Sequence, residues 1–309
     1  MGLIDFFVVM ASLAAIWGIM GLAYNIQYGY TGMVNLGTVA WFAIGGYTYA
    51  ILTTHSPQLR DAYMFGFGFS PIIGLIGAAI VSGFVAFLIG LPSLKFKGHY
   101  FAIITFAFAS ILHYILINER WLTNGTIGFF GLNSLGENIF GTNIYPYFFC
   151  FITFLGLILA YLLIDRVGKS PFGRVIRGIR ENDTVALSIG KNIFMFRMKV
   201  FVFSSIFIGL AGALYSMYLT LVTPGIYAST ITFTVLNAVV IGGKANNKGT
   251  ILGVFIIMFF AQLLRFIEVS PLFAVRMSAI NCMIDGMLLV IILRYLPDGI
   301  LKEKKVIYN

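Results

Sequence analysis

Charge is the scarcest commodity in this sequence. Only 10% of its 309 residues are Asp, Glu, Lys or Arg, and 60% are apolar, against about 25% charged residues in an ordinary soluble domain. A chain so composed belongs in lipid. At about 20 apolar residues per crossing, its length allows roughly eight to ten spans and no sizeable soluble domain. Cysteine is nearly absent: Cys150 and Cys282 each sit inside an apolar run, which excludes a disulfide framework. Histidine is as sparse. His55, His99 and His113 have no carboxylate or cysteine near them at ligand spacing, so no metal site is expected. No nucleophile and base pair up either, which argues against an enzyme. The phosphate-cradling pattern G-x-x-x-x-G-K-[ST] is missing, since GK occurs only in SIGKN and GGKAN; the chain is not expected to bind a nucleotide by itself. The first residues, MGLIDFFVVMASLAAIWGIMGLAYN, lack a basic leader and are apolar for too long to be a cleaved signal. They read as the first span.

What is present is a series of apolar runs at about 6–27, 33–53, 67–92, 99–117, 145–164, 199–221, 226–243, 250–267 and 277–296. They specify an all-α polytopic integral membrane protein, with residues 1–309 as one transmembrane domain. The formal net charge of +9 comes in short pieces between these runs and not along one amphipathic surface, so it points to topology and not to nucleic acid. Basic loops stay on the cytoplasmic side. Lys95 and Lys97 place LPSLKFKGHY inside, and residues 118–144, with one Arg against two Glu, form an outer loop. Arg166, Lys169, Arg174, Arg177, Arg180, Lys191, Arg197 and Lys199 make about 166–198 cytoplasmic. Alternation puts GGKANNKG and the tail LKEKKVIYN inside as well, with only Arg265 and Arg276 weakly opposed.

Two Gly-rich interruptions break the pattern. GYTGMVNLGTVAWFAIGGY (29–47) is too polar for a lipid-facing helix, and non-helical backbone at membrane depth survives only when protein covers it or it lines a water-filled path. A broken or re-entrant element is therefore expected near 29–53. If this run crosses, the N-terminus lies outside; if it re-enters, inside. The second interruption is VVIGGKANNKGTILGV (239–254), and a pair of this kind predicts an internal inverted repeat around a substrate path.

The basic island KSPFGRVIRGIRENDTVALSIGK (169–191) has its own pattern. Pro171 opens a helix with Phe172, Val175, Ile176 and Ile179 on one face and Arg174, Arg177 and Glu181 on the other. Asp183 is placed to cap a second short helix that ends at Gly190. A membrane-surface helix with its arginines on anionic lipid headgroups accounts for the first part. The second part, ENDTVALSIG, fits a cytoplasmic protein partner better, and so long a structured connection implies that something docks there.

At this point the sequence resembles a known family. SPFGRVIRGIRENDTVALSIGKN is similar to the cytoplasmic loop of the permease subunits of branched-chain amino acid ABC importers of the LivM type, within the LivH/LivM permease family. GYTGMVNLGTVAWFAIGGYTYA, GHYFAIITFAFASIL, LTNGTIGFFGL, FSSIFIGLAGALYS, VVIGGKANNKGTILG and DGMLLVIILRYLPDGIL follow in family order. The island departs from the family where acidic residues are more often followed by an Ala pair, and KANNKG replaces a more apolar turn. The resemblance implies a permease domain whose loop carries a coupling helix, with Arg180, Glu181, Asn182, Asp183 and Gly190 meeting an ATPase. It further implies two ABC ATPase subunits that use the ATP, a second permease subunit in a heterodimer, and an extracytoplasmic substrate-binding protein docking on 54–66 and 118–144. No cofactor would be bound by this chain, which would sit among the lipids of a prokaryotic inner or plasma membrane.

For the path itself, a zwitterion moves best past a few hydrogen-bonding groups without strong fixed charge. Asn25, Gln27, Asn35, Thr38, Thr105 and Asn237 are candidates to supply them. Asp285, one turn after Asn281, is an intramembrane acid and so a functional candidate by default, with a carboxylate near the outer interface as the plainer reading. Gly74, Gly77, Gly83, Gly209, Gly212 and Ala213 read as helix-packing residues. Within the same family urea, short amides and simple sugars remain alternative cargo. A stand-alone ion-coupled transporter would require several paired intramembrane charges, and only Asp285 qualifies.

Overall fold

The computed structural model describes residues 3–56, 63–96, 98–266 and scattered positions from 283 to 303. In hydrocarbon a backbone must satisfy its own polar groups, and the apolar runs accordingly fold as helices. In chain order these are α1 (Leu3–Asn25), α2 (Thr38–Thr53), α3 (Pro71–Ser93), α4 (His99–Asn118), a single turn α5 (Arg120–Thr123) and α6 (Glu137–Lys169). The short pair α7 (Pro171–Glu181) and α8 (Asp183–Ser188) follows, and then α9 (Ile193–Leu219), α10 (Thr230–Gly242) and α11 (Asn247–Phe266). Among the described residues six segments are long and apolar enough to cross a membrane: Ile4–Tyr30, Pro71–Ser93, His99–Asn118, Ile144–Lys169, Ile193–Leu219 and Pro224–Gly242. The protein is thus an all-α polytopic membrane protein. The last apolar run, 277–296, falls mostly outside the described residues, as do Asn281, Cys282 and Asp285.

The centre of the bundle is α2 against α9. Nearly every position of α2 is buried, and α9 packs on α1, α2 and α3. The small residues allow this. A Cβ on Gly45 of α2 would run into the carbonyl of Gly209, and one on Gly212 into the carbonyl of Phe42, so the two backbones touch where side chains would hold them apart. Around that contact Trp41 is clamped between Phe108 and Phe201, with ring centroids 5.3 and 5.4 Å away. The outer helices α3, α4 and α6 each keep one face of large apolar side chains exposed, among them Ile76, Ile80, Ile103, Ile111, Phe151 and Leu159, as lipid contact demands.

The first Gly-rich run does not cross as one helix. α1 winds into a π-helical turn over Ile26–Tyr30, the chain then loses regular structure, and α2 begins only at Thr38. At 16 residues and 1.5 Å per residue α2 is about 24 Å long, short of the roughly 30 Å hydrocarbon core. It ends at the 118–144 loop, where Asn133 Nδ2 donates to the Thr53 carbonyl at 3.2 Å, whereas α1 ends beside the basic island, with the Gly29 carbonyl accepting from Arg180. After α9 the chain forms β2 (Leu221–Val222), paired antiparallel with β1 (Phe129–Phe130) of the outer loop, then a 3-10 turn at Pro224–Ile226, and then the 13-residue α10. The Val39 amide donates to Thr232 Oγ1 at 3.0 Å. α2 and α10 therefore start side by side within the bundle and run to opposite surfaces.

The second Gly-rich run behaves differently from the first. It contains the end of α10, a turn at 243–246 and the start of α11, with Gly243 at φ 118° closing α10. It is a tight reversal at the surface and not a break within a helix.

Replacing Gly212 with Val pushes a branched side chain into the Phe42 carbonyl. Overpacking of this kind costs about 1–3 kcal/mol, and the thermal midpoint of the detergent-purified protein should fall by several degrees; an unchanged midpoint would contradict the α2–α9 contact.

Candidate functional site

Residues 26–38 form the polar heart of the bundle. Gln27 Nε2 donates to Ser204 Oγ of α9, and Gln27 Oε1 accepts from Asn35 Nδ2 at 2.9 Å. Asn35 in turn accepts from the Gly37 amide at 2.9 Å, Thr105 Oγ1 of α4 accepts from the Leu36 amide at 3.2 Å, and Thr38 Oγ1 donates to the Asn35 carbonyl at 3.0 Å. Thr31 Oγ1 bonds back to the carbonyls of Ile26 and Gln27. These side chains thus satisfy the amides that the broken helix leaves open, which would otherwise be unpaired in a low-dielectric interior. Gln27, Asn35, Thr38 and Thr105 are all fully buried. The structure brings these four of the six nominated path residues into one network with Ser204 and Thr232, which the sequence reading did not single out. A Ser204-Ser205 pair in an otherwise apolar helix was the available signal.

Asn25 belongs to a second cluster, at the C-terminal end of α1. Its Oδ1 accepts from the Ala245 amide at 3.0 Å, and its Nδ2 donates to Asn247 Oδ1 at 3.1 Å. Asn247 Nδ2 reaches Asp165 of α6 at 3.4 Å. Three elements, α1, α6 and the α10–α11 turn, are thereby tied at one point. Asn237 stands apart from both clusters, buried on α10.

The basic island folds as the two short helices its pattern implies. Ser170 Oγ accepts from the Gly173 amide at 3.3 Å and caps α7. Ile176 and Ile179 are buried, and Phe172 stacks on Phe196 at 5.3 Å. Two details differ from expectation. The cap of α8 is Asn182, whose Oδ1 accepts from the amides of Thr184 and Val185 at 2.9 and 3.3 Å. Asp183 is instead the first residue of the helix, and Arg197 Nη2 donates to both its oxygens at 2.9 and 3.0 Å. The second difference is that Arg177, placed by periodicity on the solvent face, is turned inward, its guanidinium 4.8 Å from the Tyr30 ring centroid.

Arg180 also points into the bundle, with Nη1 donating to the Gly29 carbonyl at 2.6 Å and Nη2 to Glu181 and Glu303 at 2.8 and 2.9 Å. Partial burial lowers its pKa, but hydrogen bonds and charge from Glu181 and Glu303 outweigh this and leave the guanidinium above its ordinary value. Of the five nominated coupling residues, then, Arg180, Asn182 and Asp183 hold the loop together from within. Gly190 takes the left-handed turn after α8 at φ 74°, and Glu181, Asn182 and Gly190 are exposed. α8 and the residue after it expose three apolar side chains, Val185, Leu187 and Ile189, at 58%, 52% and 66%, beside Thr184 and Ser188. Among the described residues no group of three His, Cys, Asp or Glu side chains is placed to hold a metal ion.

Changing Asn35 to Ala removes the acceptor of the Gly37 amide and strands Gln27. Hydrogen exchange across 26–40 should speed up by about tenfold or more, as expected when a buried bond worth about 1.4 kcal/mol or more is lost. Unchanged protection would count against the network.

Comparison with known proteins bears on what this arrangement serves. The chain is 29% identical to the high-affinity branched-chain amino acid transport system permease protein LivM of Escherichia coli K12, over 94% of the chain and 69% of that protein. It is also 29% identical to the probable branched-chain amino acid transport permease protein LivM of Methanocaldococcus jannaschii, over 94% of the chain and 91% of the relative. No solved structure matches it. Residues 6–293 match the family described as "Branched-chain amino acid transport system / permease component", and with almost the whole length covered, the chain belongs to that family of transport permeases.

Proposed function

We propose that the chain is the membrane subunit of an ABC importer and forms the translocation path for branched-chain or chemically related amino acids. The cargo rests on the names of the relatives. The mechanism rests on one observation: α7 and α8 are braced internally by Asn182, Asp183–Arg197 and Arg180–Gly29, yet α8 leaves Val185, Leu187 and Ile189 bare on the basic side. A clustered apolar tip at an otherwise charged surface marks a protein contact. A rigid knuckle with a sticky tip is what a motor protein needs to grip, and the groove beside it, lined by Arg174, Val175, Val185, Ile189 and Lys191 with a volume of about 260 Å³, gives the grip a shape.

On this reading two ATPase subunits bind and hydrolyse ATP on the cytoplasmic side, and this chain holds no nucleotide or cofactor. Their closure moves α7–α8 and, through the end of α1, the broken segment. A second permease subunit completes the path, and an extracytoplasmic binding protein delivers cargo to the outer loops 54–66 and 118–144. The path runs past the starts of α2 and α10, where Asn35, Thr38, Thr105 and Thr232 offer neutral hydrogen-bonding groups. Breaking their mutual bonds in the outward or inward state exposes them to a zwitterion without ever presenting a fixed charge that would trap it. The setting is a prokaryotic cytoplasmic membrane.

The test changes only exposed atoms. Val185→Asp with Ile189→Asp leaves the bundle folded and inserted, and is expected to abolish co-purification of the ATPase and to reduce uptake at least tenfold, the scale of losing a desolvated interface anchor of about 1.4 kcal/mol or more. Full uptake by the double variant removes the coupling role of α8, and uphill uptake by the purified chain alone in liposomes removes the importer assignment altogether.

A further inference from the structure

The tail returns to the bundle in an unexpected place. The amides of Ile300 and Leu301 donate to the carbonyls of Ile241 and Gly242 at the end of α10, at 2.9 and 3.0 Å. Asn246 Nδ2 holds the carbonyls of Leu301 and Lys302 at 3.2 and 3.0 Å. This anchoring delivers Glu303 to α7. Its Oε2 lies 2.9 Å from Arg180 Nη2, and its Oε1 lies 3.3 Å from Arg177 Nε, an ion-pair contact without hydrogen-bond alignment. The same two arginines touch the π-helical turn of α1, Arg180 through the Gly29 carbonyl and Arg177 over the Tyr30 ring. One carboxylate therefore gathers two like charges that stand one helical turn apart and would otherwise repel each other.

We propose that Glu303 is a positioning residue for energy coupling: it clasps Arg177 and Arg180 so that α7 cannot shift without carrying the π-turn of α1 and the end of α10 with it. The proposal rests on the reading of α7–α8 as the element an ATPase grips. Three features favour a clasp over an incidental surface pair. The side chains are only 20%, 22% and 29% exposed for Arg177, Arg180 and Glu303, so water screens them less than it would an open pair. Glu181 also reaches Arg180, but it is 71% exposed and sits on α7 itself, so it ties that helix to nothing else. Finally, the elements joined are the turn that leads into α2 and the end of α10, the two short helices whose starts meet at Val39 and Thr232. Motion received at the knuckle thus reaches the π-turn through the two arginines themselves and the end of α10 through the carboxylate that clasps them.

Two measurements test it. In the detergent-purified full chain, a thermal double-mutant cycle between Arg180→Gln and Glu303→Gln should show coupling, the second change costing much less once the first is made; strictly additive losses would mean that the clasp does not exist. In the importer reconstituted with its ATPases, Glu303→Gln should lower cargo moved per ATP hydrolysed by about fivefold or more, the lower end of typical coupling between linked sites. Glu303→Asp should recover most of that loss, and Lys302→Ala, whose side chain is exposed and pairs with Asp298, should change nothing. A brace that serves stability alone would shift the thermal midpoint and leave cargo per ATP untouched, and that result overturns the proposal while the importer assignment stands. If uptake by the unaltered complex proved independent of ATP, the assignment itself would fail.

Discussion

Lipid offers no hydrogen bonds, and that single fact governs how this chain is built around residues 26–38. Once α1 loosens into a π-turn and the helix breaks, amides at Leu36, Gly37 and Val39 lose their helical partners. Each unpaired group in such a medium costs several kcal/mol. The chain meets that cost with side chains drawn from four helices: Thr105 from α4, Ser204 from α9, Thr232 from α10 and Thr38 at the head of α2, joined by Gln27 and Asn35 from the break itself. The polar groups are not decoration on an apolar bundle. They are what makes an interrupted helix tenable at that depth, and they also make the interruption a place where several helices share one set of bonds.

The same economy explains why charge collects in one island. Guanidinium and carboxylate groups are costly within hydrocarbon but inexpensive at its edge, where Arg177, Arg180 and Arg197 can bury their stems and still find carboxylates. There they fasten α7 and α8 to the bundle. The loop is consequently stiff although it lies outside the spans, and a stiff loop transmits displacement where a floppy one would absorb it.

Much of this was legible beforehand. The all-helical membrane character followed from composition, the two helices of the island from Pro171, the Phe172–Ile179 spacing and the Gly190 stop, and the break near 29–53 from its glycines and polar residues. Close packing at Gly209 and Gly212 followed from the lack of any hydrophobic drive between helices in lipid. What escaped was pairing across long separations. Nothing local says that Arg177, on the polar face of its helix, turns inward to Tyr30, or that Ser204 waits for Gln27 across 177 positions. The cap of α8 was misplaced by one residue because Asn182 and Asp183 are both good caps, and only the presence of Arg197 decides between them. The two Gly-rich runs looked alike and are not: one is an irregular break between a π-turn and α2, the other a tight reversal between α10 and α11.

The smallest element of the fold has a disproportionate reach. The ribbon of β1 and β2 is only two residues wide, but it stitches the long outer loop to the stretch that feeds α10, and Tyr47 of α2 and Tyr63 rest their rings on Phe129 at 6.3 and 4.9 Å. Pressure applied to that loop would not dissipate in slack chain. It would tug on the thread that enters α10 and nudge the far end of α2 in the same stroke, so the outer face is geared to the interior by a seam of two residues.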